Sequence, residues 1–233
     1  MLHILLHDKE AVNALEKEFE NYLKLCRPLI QIVNASSPES TDLYPKLEKA
    51  HGDLLSAHAL PSAYAVPKSV IQSFRMRSDP AALQRFITKS SALFREQLRR
   101  GDSITEILHL PHPDAFREGR IKVPFSDLFG NGDLSIRPEE MRLILKNVIR
   151  MLRRNPGYHV VLSKQIPENI DLRVKESFGT ILAHSVPPTT AFVTSEPNMT
   201  SAFREYLARI REDALYSSPE VVIRQLALYI SRL

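Results

Sequence analysis

Segments with helical and with strand spacing alternate along this chain, and many of its 16 prolines stand at the joints between them. Proline breaks a helix interior and disfavours helical geometry in the residue before it, so each one limits how far an element can run. After Asp8, a candidate cap, Val12, Leu15, Phe19, Tyr22, Leu23 and Cys26 recur at helical spacing until Arg27-Pro28 ends the stretch. Leu29 to Val33 then reads as a short buried strand and Ala35 to Thr41 as a polar loop. Leu43, Tyr44 and Leu47 suggest a short helix, and Ala57 to Val66 an extended segment. A longer helix from about Pro80 to Arg100 carries Leu83, Phe86, Ile87, Leu93, Phe94 and Leu98 on its apolar side. It closes on Arg99, Arg100 and Gly101, cations at the negative end followed by glycine. Ile104 to Leu110 is a strand.

Pro111 to Arg137 is a connector with a Gly130-Asn131-Gly132 turn, and it marks the expected boundary between an N-terminal half (1–120) and a C-terminal half (121–233). Pro138, Glu139 and Glu140 open a helix with proline in its first turn and acids over its positive end; Asn155-Pro156-Gly157 stops it after Arg154. Strands follow at His159–Leu162, Ile170–Val174, Thr180–Ala183 and Thr190–Thr194, the middle two as a hairpin around Lys175 to Gly179. Helices starting at Pro197 and at Ser218-Pro219-Glu220 complete the chain. The expected fold is α/β: a mixed sheet covered by helices, with two similar halves meeting near residue 120.

Composition narrows the function. Apolar residues make up 43% and charged residues 25% of 233, ordinary for a globular chain with its own core. Cys26 is the only cysteine, which excludes an internal disulfide and a multi-thiolate zinc site. Its place on the apolar side of a helix suits an inert, buried thiol. The apolar start, Met1 to Leu6, is cut short by Asp8, Lys9 and Glu10, so no signal peptide is expected. No run approaches the ~20 apolar residues of a membrane span. These readings place the chain in the cytoplasm without a membrane partner. A net charge of +4 permits contact with nucleic acid but falls short of a dedicated DNA-binding module.

His109, His112 and Asp114 are the cluster best suited to a transition metal, since imidazole and carboxylate both ligate zinc. Pro111 and Pro113 rule out a shared helix face, and a further ligand, such as His159 or His184, would have to join them. A strand end followed by a proline turn accounts for the same residues without metal. The Asn131-Gly132-Asp133 turn fails as a calcium loop, because Phe129 and Leu134 fall at the first ligand and glycine positions. No nucleophile elbow, phosphate-binding glycine loop or His-Glu-x-x-His is present. A small metal-dependent hydrolase using His109, His112 and Asp114 is therefore the alternative to a chain with no catalysis and no cofactor. Arg95, Arg99 and Arg100 form one basic cluster, and Lys146, Arg150, Arg153 and Arg154 another. In the last helix Val222, Leu226 and Ile230 make a stripe that suits a dimer seam or the chain's own core equally.

Strand, hairpin, strand and a helix entered through Ser195-Glu196-Pro197-Asn198-Met199 and continuing Ser201-Ala202-Phe203-Arg204-Glu205-Tyr206-Leu207 form one pattern. Phe19-Glu20-Asn21-Tyr22-Leu23 leading to Cys26-Arg27-Pro28-Leu29 form another. Together they resemble the phospholipase-D-like effector domains of bacterial helix-turn-helix transcription regulators. The resemblance implies a catalytically dead domain that senses a small molecule or dimerises. A ligand would lie in the cleft between the halves, with Arg95, Arg99 and Arg173 as candidate contacts, and the partner would be a second copy. DNA would be met only through a separate helix-turn-helix segment, for the best stand-in here, Pro138 to Arg154, is too long and too apolar. The catalytic signature of phospholipase D enzymes is His-x-Lys followed after four residues by Asp. His7-Asp8-Lys9 has its first part, but Ala14 stands at the Asp position. The strand that should carry the motif, Asp171-Leu172-Arg173-Val174-Lys175, has no histidine.

Overall fold

Four helices of the computed structural model open on proline, where the ring's fixed φ suits the first turn and its missing N–H would have no partner. Residues 30–34, 42–75, 81–129, 134–186, 188–214 and 216–233 are described. The helix expected before Arg27, with Cys26 and the His7-Asp8-Lys9 run, lies outside them, as do the Ala35–Thr41 loop and the Asn131-Gly132-Asp133 turn. The helices are α1 (Leu43–Lys49), α2 (Lys68–Arg75), α3 (Ala81–Arg99), α4 (Pro113–Arg117), α5 (Pro138–Arg154), α6 (Pro197–Glu212) and α7 (Pro219–Arg232). The strands are β1 (Ile30–Asn34), β2 (Leu54–His58), β3 (Ile104–Leu108), β4 (Tyr158–Leu162), β5 (Ile170–Lys175), β6 (Gly179–His184) and β7 (Thr190–Thr194).

Local chemistry explains several boundaries. The Glu196 carboxylate accepts from the N–H groups of Asn198 (3.0 Å) and Met199 (2.6 Å), capping α6. In α5 the Glu140 carboxylate reaches back to the Arg137 N–H at 2.8 Å. Gly101, at φ +85°, takes the left-handed turn that ends α3.

The seven strands among the described residues form one mixed sheet in the order β1-β7-β6-β5-β2-β3-β4. β2, β3 and β4 run parallel, and the remaining pairings are antiparallel. Strands from the two sides of residue 120 interleave, because β5 pairs with both β2 and β6. Helices cover both faces. On one, α6 sets Leu207 and Ile210 against Ala57, Ile107, Val161, Leu172 and Val174. On the other, α1, α3, α5 and α7 build the larger core over Leu54, Ile104, Tyr158 and Ile181. This is the α/β arrangement expected from the sequence.

Some expectations need correcting. The extended segment expected from Ala57 to Val66 ends at His58, and Ala63–Ala65 is a tight helical turn. Helix α2 was not anticipated, and the connector after Pro111 holds α4 and a second tight turn at Ser126–Phe129. The stripe on α7 faces the chain's own core: Val222 and Leu226 are fully buried there, and Ile230 packs against them. Among the described residues no helix is long and apolar enough to cross a membrane.

Candidate functional site

A strand with one side to a core normally carries apolar residues there. Beneath α1, three adjacent strands break that rule. β2 directs Ser56 and His58 into the larger core, β3 directs Glu106, and β5 directs Asp171, Arg173 and Lys175, all of them buried. Pairing sets them in rows: Ser56 lies opposite Arg173 and beside Glu106, and His58 lies opposite Asp171. α1 covers the rows with Tyr44 and Glu48, which share a helix face at a spacing of four.

Around Arg173 the charges are matched at close range. Its Nε and Nη2 donate to the two Asp171 oxygens at 2.8 and 3.0 Å, a bidentate pair. The guanidinium lies 4.6 Å from the centre of the Tyr44 ring. Burial, the largest single influence, would lower the Arg173 pKa, but Asp171, Tyr44 and Glu48 together outweigh it and the pKa is raised. Glu48 is held less well. Ser90 donates to its Oε1 at 2.7 Å, while Arg173 Nη1 stays 3.9 Å away. Burial therefore pushes the Glu48 carboxyl above the usual carboxylate range, with Arg173 only partly opposing. Among the described residues Glu48 Oε2 and Tyr44 Oη have no hydrogen-bond partner.

A second group surrounds Glu106. The Ser62 N–H (3.1 Å) and the Tyr158 hydroxyl donate to its carboxylate, and His58 Nε2 lies 3.4 Å away. Burial would raise its pKa, but the interactions with His58, Ser62 and Tyr158 hold it down at about 2. His58 Nδ1 faces the Leu60 carbonyl, which can only accept, so Nδ1 carries a proton. Ser56 and Ser62 Oγ both lie 3.3 Å from Nε2. A nucleophilic triad needs serine on one ring nitrogen and carboxylate on the other. Here Ser62 and Glu106 share Nε2, so the group is arranged to lock the wall rather than to attack a substrate.

Both groups border a cavity of about 260 Å³ between the sheet and the helices of the larger core. Tyr44, Glu48, His58, Ser62, Asp171 and Arg173 form one polar wall, and Arg120, Lys122, Glu168, Asn169 and Ser185 add further polar groups to the lining. Phe74, Leu83, Phe86, Ile87, Met141 and Ile144 are among its apolar residues. A concave, mostly apolar site with a few convergent polar groups is the usual form of a small-molecule pocket.

Of the three arginines singled out from sequence, Arg173 alone lines this cavity. Arg95 and Arg99 are exposed on α3, their Nε atoms donating to the carbonyls of Ser91 and Arg95. Arg100 clamps the end of α1 through the Lys49 and Ala50 carbonyls. Of the metal alternative, His112 Nδ1 and an Asp114 oxygen lie 3.4 Å apart, but His109 does not join them. His109 is half-buried with Nδ1 at the Ile166 carbonyl, His112 caps α4, and Asp114 pairs with Arg117. His159 is exposed on β4, and His184 contacts Asn169 and the Val186 carbonyl. Among the described residues, no three His, Cys, Asp or Glu side chains are grouped as a metal ion would require. Sequence reasoning missed Tyr44, Glu48, His58 and Glu106; the charges alternating along Asp171, Arg173 and Lys175 were the one local sign of this site.

No protein-family model matches the chain. Its sequence likewise matches no curated protein. Solved structures superimpose on it at low scores. TrmBL2, an archaeal chromatin protein with a novel mode of DNA binding, superimposes with a TM-score of 0.43 at 14% identity, over 90% of this chain and 65% of that one. The chain thus spans less than two thirds of that protein's length. Nuc of Salmonella typhimurium, a phospholipase D family member, gives 0.40 at 10% identity, over 81% of this chain and 98% of its own. Phosphatidylserine synthase of Haemophilus influenzae gives 0.41 at 12% identity, over 87% of this chain and 45% of its own. None of the three is close enough to transfer a site or an activity.

Proposed function

We propose that this chain is a non-catalytic regulatory domain of the transcription-regulator kind, which senses a small molecule and acts as a homodimer. The observation that carries the reading is the cavity, enclosed by elements from both sides of residue 120 and bordered by Arg173 and its buried partners. Binding there would tie α1, α3 and α5 to β2 and β5 at once. A ligand can shift a conformational equilibrium only through its difference in affinity for the two states, and a pocket shared by several elements provides that difference. The arrangement of Ser62, His58 and Glu106 on one ring nitrogen favours recognition over acyl transfer.

Native mass spectrometry of gently purified protein tests the proposal. The expected result is a dimer carrying a discrete organic adduct whose removal lowers thermal stability. Saturation at a hundred times Kd stabilises a folded protein by about 2.7 kcal/mol, well within reach of a melting curve. A stoichiometric metal adduct with hydrolytic turnover would overturn the reading in favour of an enzyme. So would a melting temperature that responds to no small molecule.

A further inference from the structure

Among the described residues seven buried side-chain polar atoms have no hydrogen-bond partner, and two of them, Tyr44 Oη and Glu48 Oε2, belong to residues that share one face of α1 and line the cavity. Their residues are only 2% and 1% exposed, so outside solvent does not answer them. Buried polar atoms left unpaired are rare in folded proteins, and each calls for a partner. The neighbours are already committed. Ser90 donates to the other Glu48 oxygen, and Arg173 gives two of its N–H groups to Asp171 while Nη1 remains beyond hydrogen-bond reach of Glu48. A carboxylate oxygen accepts, and a phenol oxygen accepts or donates, so the group both can share is a donor.

Charge leads to the same chemistry. The wall around Arg173 sets two carboxyl groups, Asp171 and Glu48, against one guanidinium. An anionic head would add repulsion beside Asp171 and Glu48, where the Arg173 guanidinium is already paired and the Lys175 ammonium donates to Gln97; the other cations of the lining, Arg120 and Lys122, enter it from the segment after α4. A cationic or neutral donor would instead satisfy Glu48. Much of the remaining lining is apolar, and the cavity's size sets a limit, since an apolar cavity of about 150 Å³ holds benzene. At about 260 Å³ there is room for one aromatic ring with a short side chain.

We propose that the cavity binds a small amphiphile whose head, an amine or a hydroxyl, donates hydrogen bonds to Glu48 and Tyr44. Its apolar body lies against Phe74, Leu83, Phe86, Ile87, Met141 and Ile144. This inference rests on the reading of the cavity as a ligand site and adds the class of ligand.

Calorimetric titration of the whole chain with four probes of one size tests it: phenethylamine, phenethyl alcohol, phenylacetate and ethylbenzene. Both donor heads should bind about tenfold more tightly than ethylbenzene, and phenylacetate should be the weakest. Comparing the amine with the alcohol tells whether the favoured donor is a cation. Glu48→Gln should weaken phenethylamine about tenfold and leave ethylbenzene unchanged. Tyr44→Phe and the wild-type probe series decide the matter if that variant does not fold. Phenylacetate binding as tightly as phenethylamine would overturn the donor-head assignment while leaving the ligand site standing. Failure of all four probes would overturn the ligand site itself.

Discussion

Glu48 and Glu106 are buried beside the same sheet face, and their surroundings drive them in opposite directions. Glu106 has donors on both oxygens, and its folded-state pKa, about 2, lies below the ordinary 4.5. Its contribution to stability is therefore fully present above about pH 4.5 and is lost as pH falls toward 2. Glu106→Gln should cost about 1.5–3 kcal/mol at neutral pH, the range for hydrogen bonds to a charged group. Urea titrations should show that difference shrinking as the pH is lowered through this window. Glu48 has the opposite sign. Its pKa is raised, so the protonated side chain favours the folded state at low pH and ionisation disfavours it as pH rises. Glu48→Gln should be more stable than the wild type at neutral pH, with the advantage disappearing on acidification. A variant that folds better while binding an amine less well would mark Glu48 as a residue kept for recognition.

At the scale of elements, the hairpin joining β5 to β6 turns on Gly179. A Cβ there would lie 2.1 Å from the Thr194 carbonyl oxygen, in a backbone at φ +120°. Gly52 also has a positive φ, +93°, but a Cβ on it would meet nothing within 4 Å. Gly52→Ala should thus cost only the conformational penalty of about 1–2 kcal/mol. Gly179→Ala adds a backbone clash and should cost about 3 kcal/mol or more, because β7 must move. Urea midpoints of the two variants measure the contrast, and equal losses would refute it. The hairpin was legible because strand-type runs flank a glycine. α5 was legible for similar reasons, with Pro138 and two acids at its start and Asn155-Pro156-Gly157 at its end. α2 was not, because Lys68–Arg75 is two turns with a single apolar patch, Val70, Ile71 and Phe74, and no terminal signal beyond a preceding proline. The expected extended run from Ala57 stops at His58, and its apolar residues serve the tight turn under α3 and α5 instead.

At the scale of the molecule, the site escapes any local window because long-range pairing creates it. Ser56 meets Arg173 only once β2 lies against β5, and Glu106 meets Tyr158 diagonally once β3 lies against β4. Alternation of charged with apolar residues on β5 reads as a strand with one wet face, yet α1 covers that face and makes it interior. The same pairing bears on how the chain unfolds. Cutting at residue 120 would leave β1 without β7 and β4 without β3, in each case its only neighbour in the sheet among the described residues. It would also part Arg173 from Tyr44 and Glu48, and Tyr158 from Glu106. Arg173 keeps Asp171 and Glu106 keeps Ser62 and His58, but Glu48 loses Arg173 and Lys175 loses Gln97, and an uncompensated buried charge is strongly destabilising. The two halves should therefore unfold together. Backbone circular dichroism and tyrosine fluorescence should give coincident urea transitions, the second probe being clean because the chain has no tryptophan. Fragments 1–120 and 121–233 should each lack a cooperative melt alone and regain one when mixed. Two separated transitions in the intact chain, or a fragment that melts cooperatively by itself, would mean that the halves are independent folding units joined through the sheet.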